Sequence, residues 1–245
     1  MTTNSDGRGW LWLGAALFAI GYEVVMQVLS WWLLSPPKSF APILSLKVTA
    51  NLGLPSFQQL LEAAHLPRAD EGYSLVIGLL TVLIYGAANA YYLSLLARSQ
   101  HDLPGGPLDD LSHTYGKLLL WMIVQTLVGA VMIPLIVLVG EVGGLLSVAF
   151  LLWFRYHFLF FEFVLLVERS AFTKTFRRAV ELRKRVQRRA LSAFITIVVI
   201  QTLLAFFLNG FFSFGTIALL LPLQMILLTM IQSRLMQAFF EAREA

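Results

Sequence analysis

Six stretches of predominantly apolar residues, at about 10–34, 74–97, 116–139, 144–167, 190–213 and 216–240, constrain this chain more than any motif in it. Each approaches or exceeds the roughly 20 residues that a helix needs to cross a hydrocarbon layer about 30 Å thick. Hydrophobic residues make up 58% and charged residues 13% of the 245, against about a quarter charged in soluble domains, so a soluble core is excluded. The expected fold is all-α: one polytopic integral membrane domain over 1–245, with six transmembrane helices. The first run is too long for the apolar part of a signal peptide, about 7–15 residues. Pro36, Pro37 and Pro42 also occupy the place of a cleavage site, so it is expected to be a retained helix.

The connections are unequal. Residues 35–73 form the longest, and within them Pro55, Phe57, Leu60, Leu61 and Ala64 suggest a short helix with one apolar face. Such a helix is too short to span, which predicts that it lies on the membrane or caps the bundle. Gly86, Ala90 and Ser94 recur every fourth residue in span two, a small-residue face that admits close helix approach in lipid. The stretch 99–116 is polar and turn-rich, span three has a kink candidate at Pro134, and Asn209-Gly210 marks the far end of span five. His101, Asp102, Asp109, Asp110 and His113 cluster in the 99–116 stretch. They offer metal-ligand chemistry, but at no helical ligand spacing, so a solvated acidic cap before span three accounts for them and no metal site is assigned.

Five ionisable groups interrupt the apolar runs: Glu23, Arg155, His157, Glu162 and Arg234. At membrane depth such groups face a bundle interior, a partner or a water-filled cavity, so they mark either a path for a proton, ion or substrate or internal ion pairs. Depth counting gives one pairing scheme. Glu23 lies 13 residues from Trp10 and Arg155 lies 13 from Glu168, each about 20 Å from the same end. By the same count Glu162 and Arg234 each stand about 9 Å from that end. Glu23 is therefore expected to meet Arg155, and Glu162 to meet Arg234.

Nine of the 18 Lys and Arg residues fall within 168–189. Ser170 is a candidate N-cap, and Phe172, Phe176, Ala179 and Val186 recur near helical spacing. Lys174, Arg177, Arg178, Arg183, Lys184, Arg185, Arg188 and Arg189 supply the charge. This is the pattern of an amphipathic helix over about 170–188 in the interface plane, docking anionic lipid or a protein partner. Lys and Arg beside spans stay in the cytoplasm, which predicts both termini inside a bacterial plasma (inner) membrane. The same placement explains the net charge of +4 without nucleic acid.

The order of span, Glu168, basic helix with Arg177-Arg178-Ala179, and next span resembles the membrane domain of bacterial glycerophosphodiester phosphodiesterases. It is similar too to the related small six-helix bacterial membrane proteins, over roughly residues 116–240. That family usually carries Ser where Ala179 stands. The resemblance implies a helix that enters the cytoplasm on a Glu and continues as a basic segment. The sequence holds no counterpart of the family's soluble phosphodiesterase domain, so no hydrolytic activity is implied.

No P-loop, nucleophile elbow or zincin motif is present, and the absence of cysteine excludes thiolate chemistry and disulfides. No catalytic residue and no cofactor is assigned. The leading expectation is a non-enzymatic accessory, scaffold or regulatory module that docks anionic lipid, a cytosolic partner, or both, through 169–189. The alternatives are a transporter or permease subunit whose cytoplasmic helix couples to an ATPase, and an unrecognised lipid-modifying enzyme.

Overall fold

The computed structural model describes residues 5–35, 42–43, 47–50, 52–66 and 74–244. Among them there are helices and no strand, and six helices are long and apolar enough to cross a membrane. The protein is an all-α multi-pass membrane protein. The spanning helices are α1 (Ser5–Leu34), α2 (Ser74–Gln100), α3 (Pro107–Val139), α4 and α5 (Glu141–His157 and Phe161–Glu168, together one span), α7 (Gln187–Gly210) and α8 (Phe214–Glu244). Between α5 and α7 lies α6 (Phe172–Arg185). Helix α1 packs on α2 and α8, α2 also on α3 and α8, α3 on α4, and α7 on α8.

Most expected boundaries lie within a turn of those observed, but α3 begins nine residues before 116. Pro107 starts it, where a missing N–H costs nothing, and Asp109 accepts the Gly106 N–H at 2.8 Å to close the first turn. Pro134 lies inside α3 without ending it. The small-residue face of α2 is used as expected. A Cβ on Gly86 would stand 2.7 Å from Leu119 of α3, and Ala90 is fully buried. Span four is broken by residues 158–160, where the i→i−4 ladder gives way to three-residue turns such as Phe161 N–H to Phe158 O at 3.0 Å.

One end of the bundle, here the basic end, is fastened by ion pairs. Buried Asp110 takes Ser94 at 2.6 Å, Arg98 at 2.7 Å and Arg169 at 3.0 Å. Arg169 has a left-handed backbone (φ 47°) that ends α5 and turns the chain toward α6. One carboxylate thus joins α2, α3 and the α5–α6 turn. Ser170 does not cap α6: the N-cap position is Ala171, and the Ser170 hydroxyl pairs with Thr175 at 2.7 Å.

The long connection departs most from expectation. Phe57, Leu60 and Leu61 are buried as the apolar pattern requires, while Ala64 is exposed. No α-helix forms among the described residues of 35–73; two short 3₁₀ turns, Gln58–Leu60 and Ala63–His65, take its place. Nor does the segment rest on top of the bundle. The Leu60 carbonyl meets Asn209 in the last turn of α7, whereas the Gly53 carbonyl meets Gln232. Gln232 stands 18 residues after the start of α8, about 27 Å along its axis. The described residues of 47–66 therefore descend into the helices, turn at Gly53 and climb back out.

Candidate functional site

Non-helical backbone at membrane depth persists only where protein or a cavity satisfies its polar groups. The polar side chains of the spans do this for the re-entrant loop. Glu23 of α1 accepts the N–H groups of Phe57 at 3.0 Å and Gln58 at 3.3 Å, and the amide of Gln27 at 3.2 Å. In α2, Tyr85 donates to the Leu54 carbonyl at 2.8 Å, and Asn89 accepts the Leu54 N–H at 2.6 Å. From α4, Arg155 reaches the carbonyls of Ala50 and Leu52 at 3.4 Å. Asn209 of α7 donates to Leu60 O at 2.8 Å, accepts Glu62 N–H at 2.9 Å and lies 3.1 Å from the His65 ring, while Gln201 takes the Thr49 hydroxyl at 3.2 Å. On α8, Gln224 donates to Ser56 O at 3.2 Å and Gln232 to Gly53 O. Five of the six spans thus hold one loop.

The tip is the tightest point. Gly53 has φ +87°, and a Cβ there would lie 2.5 Å from Asn89 Oδ1 and 2.7 Å from Glu162 Oε2. Glu162 accepts from Trp121 Nε1 of α3 at 3.2 Å and pairs with Arg155 at 3.7 Å, with the Asn89 and Gln125 amides beside it. A cavity of about 450 Å³ adjoins this cluster, with Tyr85, Asn89, Gln125, Arg155 and Glu162 in its polar wall and Gly129, Val148 and Leu151 in its apolar one. Higher in the loop, Lys47 donates to the Leu61 carbonyl. Burial pushes its ammonium below the ordinary lysine value, and the nearby Glu62 opposes that shift.

The depth-derived pairing fails on this geometry. Glu23 does not meet Arg155, because loop amides already occupy its carboxylate, and Arg155 pairs with Glu162 of its own span across the 158–160 break. Arg234 does not meet Glu162; it is exposed on the α7–α8 face. His157 is half-buried, packing on Trp153 and Phe158 at 5.0 Å, with Arg183 and Lys184 as its charged neighbours. Residue spacing measures depth along a helix but not the direction a side chain faces. Depth alone therefore could not exclude the backbone as partner.

At the basic end, α6 turns its apolar face to the protein. Phe176 packs edge-on or tilted against Trp121, Phe158 and Phe161, and Ala179 and Leu182 are fully buried. Of the eight basic residues expected to dock a partner, Arg183 is buried, 4.7 Å over the Tyr156 ring, and is withdrawn from that role. Arg178 pairs with Glu168 at 3.1 Å and Arg185 donates to the Ala242 carbonyl at 3.1 Å. Arg189 pairs with Glu241, and Arg177 pairs with Glu181 at 2.8 Å. Lys174, Lys184 and Arg188 are exposed and make no ion pair among the described residues. The histidines and aspartates of the 99–116 stretch form no metal-holding group among the described residues. Comparison of the chain with protein-family models, curated proteins and solved structures finds no match.

Proposed function

We propose that the protein is a non-enzymatic module of a bacterial plasma membrane whose basic end faces the cytoplasm and docks anionic lipid. The observation that carries this reading is the division of labour on α6. Its apolar face packs against the protein's own bundle, so Lys174, Arg177 and Lys184 are left projecting from it, with Arg188 and Arg189 beside them at the start of α7. A fixed row of cations beside span ends attracts anionic headgroups by about 1 kcal/mol per residue. The amphipathic pattern then serves to hold that row in position rather than to insert it into lipid. The sequence resemblance to the membrane domain of glycerophosphodiester phosphodiesterases accords with a supporting membrane role.

The test is thermal unfolding of the purified protein in nanodiscs of phosphatidylcholine alone or with added phosphatidylglycerol. The wild type is expected to gain stability from phosphatidylglycerol in a salt-sensitive way. The triple variant Lys174→Gln, Arg177→Gln, Lys184→Gln is expected to lose part of that gain. An unchanged gain in the variant refutes the platform reading.

The cavity beside Glu162 favours a second reading, a permease. Re-entrant loops and broken spans are the places where transporters bind cargo at membrane depth, and Arg155 and Glu162 would then be cargo contacts. Uptake or efflux by reconstituted vesicles that is abolished in Glu162→Gln, in a variant that remains folded, would favour it over the platform.

A further inference from the structure

We propose that the groove between α7 and α8 at the basic end is a binding site for the phosphate of an anionic diacyl phospholipid, with Arg188, Arg189 and Arg234 as its ligands. The proposal rests on the reading of the basic end as a lipid-docking surface and assigns it a defined site. The groove encloses about 440 Å³. Arg188, Arg189, Ser192 and Thr196 line it from α7, and Arg234, Gln237 and Glu241 from α8, above a floor of Ala193, Ile231, Leu235 and Ala238.

Charge is the first argument. Among the described residues Glu241 is the only acid lining the groove, and Arg189 already holds it. Arg188 and Arg234 are left with no counter-ion among the described residues, so the groove carries two uncompensated positive charges. A phosphate carries the opposite charge, and guanidinium forks match its oxygens.

Depth is the second argument. Arg234 stands seven residues before Glu241 in α8, about 10 Å further into the span. An arginine at that depth on an exposed helix face is costly unless it snorkels or meets an anion. The flexible stem of Arg234 points into the same groove as Arg188 and Arg189, which lie at the helix end. All three arginines thus line one groove near the helix end, at the level of lipid headgroups. Pockets of this kind between spanning helices suit phospholipid headgroups.

The surface next to the groove selects a lipid over a soluble anion. Beyond the groove, away from the basic end, the exposed residues of both helices are apolar, among them Val199 and Leu203 on α7, and Leu223, Ile226 and Met230 on α8. A diacyl lipid whose phosphate sits at Arg234 has its chains along that surface. A free phosphate makes no use of it.

The experiment is native mass spectrometry of the full chain in mild detergent, titrated with dioleoylphosphatidylglycerol, dioleoylphosphatidylcholine, dioleoylglycerol or glycerol 3-phosphate. One saturable phosphatidylglycerol adduct is expected, and neither dioleoylglycerol nor glycerol 3-phosphate displaces it. Arg234→Gln and Arg188→Gln each weaken it by about tenfold or more, the loss of a charge-assisted contact. Arg234→Lys, which keeps the charge without the fork, falls between. The α6 triple variant Lys174→Gln, Arg177→Gln, Lys184→Gln leaves this adduct intact. Lipid-free unfolding temperatures of the Arg234 variants should match the wild type, since Arg234 makes no hydrogen bond or ion pair among the described residues that they would break. If both arginine variants bind as wild type while the α6 variant loses its lipid preference, the groove is overturned and the platform stands. Displacement by glycerol 3-phosphate overturns the lipid as occupant. Equal binding of phosphatidylglycerol and phosphatidylcholine in every variant overturns both.

Discussion

Replacing Gly53 by alanine tests the re-entrant loop at the point where the least can move. Two costs arise at once. The backbone there has φ +87°, a region that costs an L-residue about 1–2 kcal/mol. The new Cβ would also lie 2.5 Å from Asn89 Oδ1 and 2.7 Å from Glu162 Oε2. Neither oxygen sits on a freely swinging side chain. Asn89 is held by the Leu54 N–H at 2.6 Å, and Glu162 by Trp121 and Arg155. Relieving the overlap should cost about 1–3 kcal/mol, as overpacking does. If Asn89 turns away instead, a stranded Leu54 N–H costs a similar ~1–3 kcal/mol, so this route replaces the overpacking cost. The total is about 2–5 kcal/mol, and at roughly 2–4 °C per kcal/mol for a chain of this size the unfolding temperature should drop by ~4–20 °C. The assay is thermal unfolding in detergent, with Gly21→Ala as control, because a Cβ on Gly21 meets nothing within 4 Å. The control should change stability by no more than about 1 kcal/mol. A Gly53→Ala protein that melts within a degree or two of that control refutes the descent of the loop to Glu162.

Two further outcomes follow from the same geometry. In a double-mutant cycle, Arg155→Gln and Glu162→Gln should be non-additive by about 0.5–3 kcal/mol, whereas the charge swap Glu23→Arg with Arg155→Glu should recover none of the loss. Recovery by the swap would mean that Glu23 and Arg155 meet after all. For orientation, cysteines placed singly at Lys174 and Ser213, both exposed, in a chain with none of its own, should react with an impermeant maleimide on intact cells only at 213. Reaction at 174 overturns the reading of the basic end as cytoplasmic.

What the sequence revealed, and what it withheld, divides along one physical line. The spans were legible because the hydrocarbon layer imposes a length and a composition on every crossing helix, and the close α2–α3 contact because Gly86, Ala90 and Ser94 repeat at helical period. The course of 47–66 was hidden because its determinants are scattered: Glu23, Tyr85, Asn89, Arg155, Gln201, Asn209, Gln224 and Gln232 come from five helices and share no spacing. Seen singly, each polar residue suggests a partner of its own kind, and this led Glu23 to be matched with Arg155. A charged pair needs two rare residues at equal depth, whereas a buried loop presents an unpaired N–H or C=O at nearly every residue and must find partners for them all. One clue was present in the sequence. Gln201, Gln224 and Gln232 carry neutral amides, and a neutral amide in an apolar span finds its most abundant partner in backbone that is not helical. Only the 35–73 connection is long enough to supply such backbone. Many amides spread over many spans, together with one long connection that carries an isolated glycine among apolar residues, therefore point to a loop that re-enters the bundle.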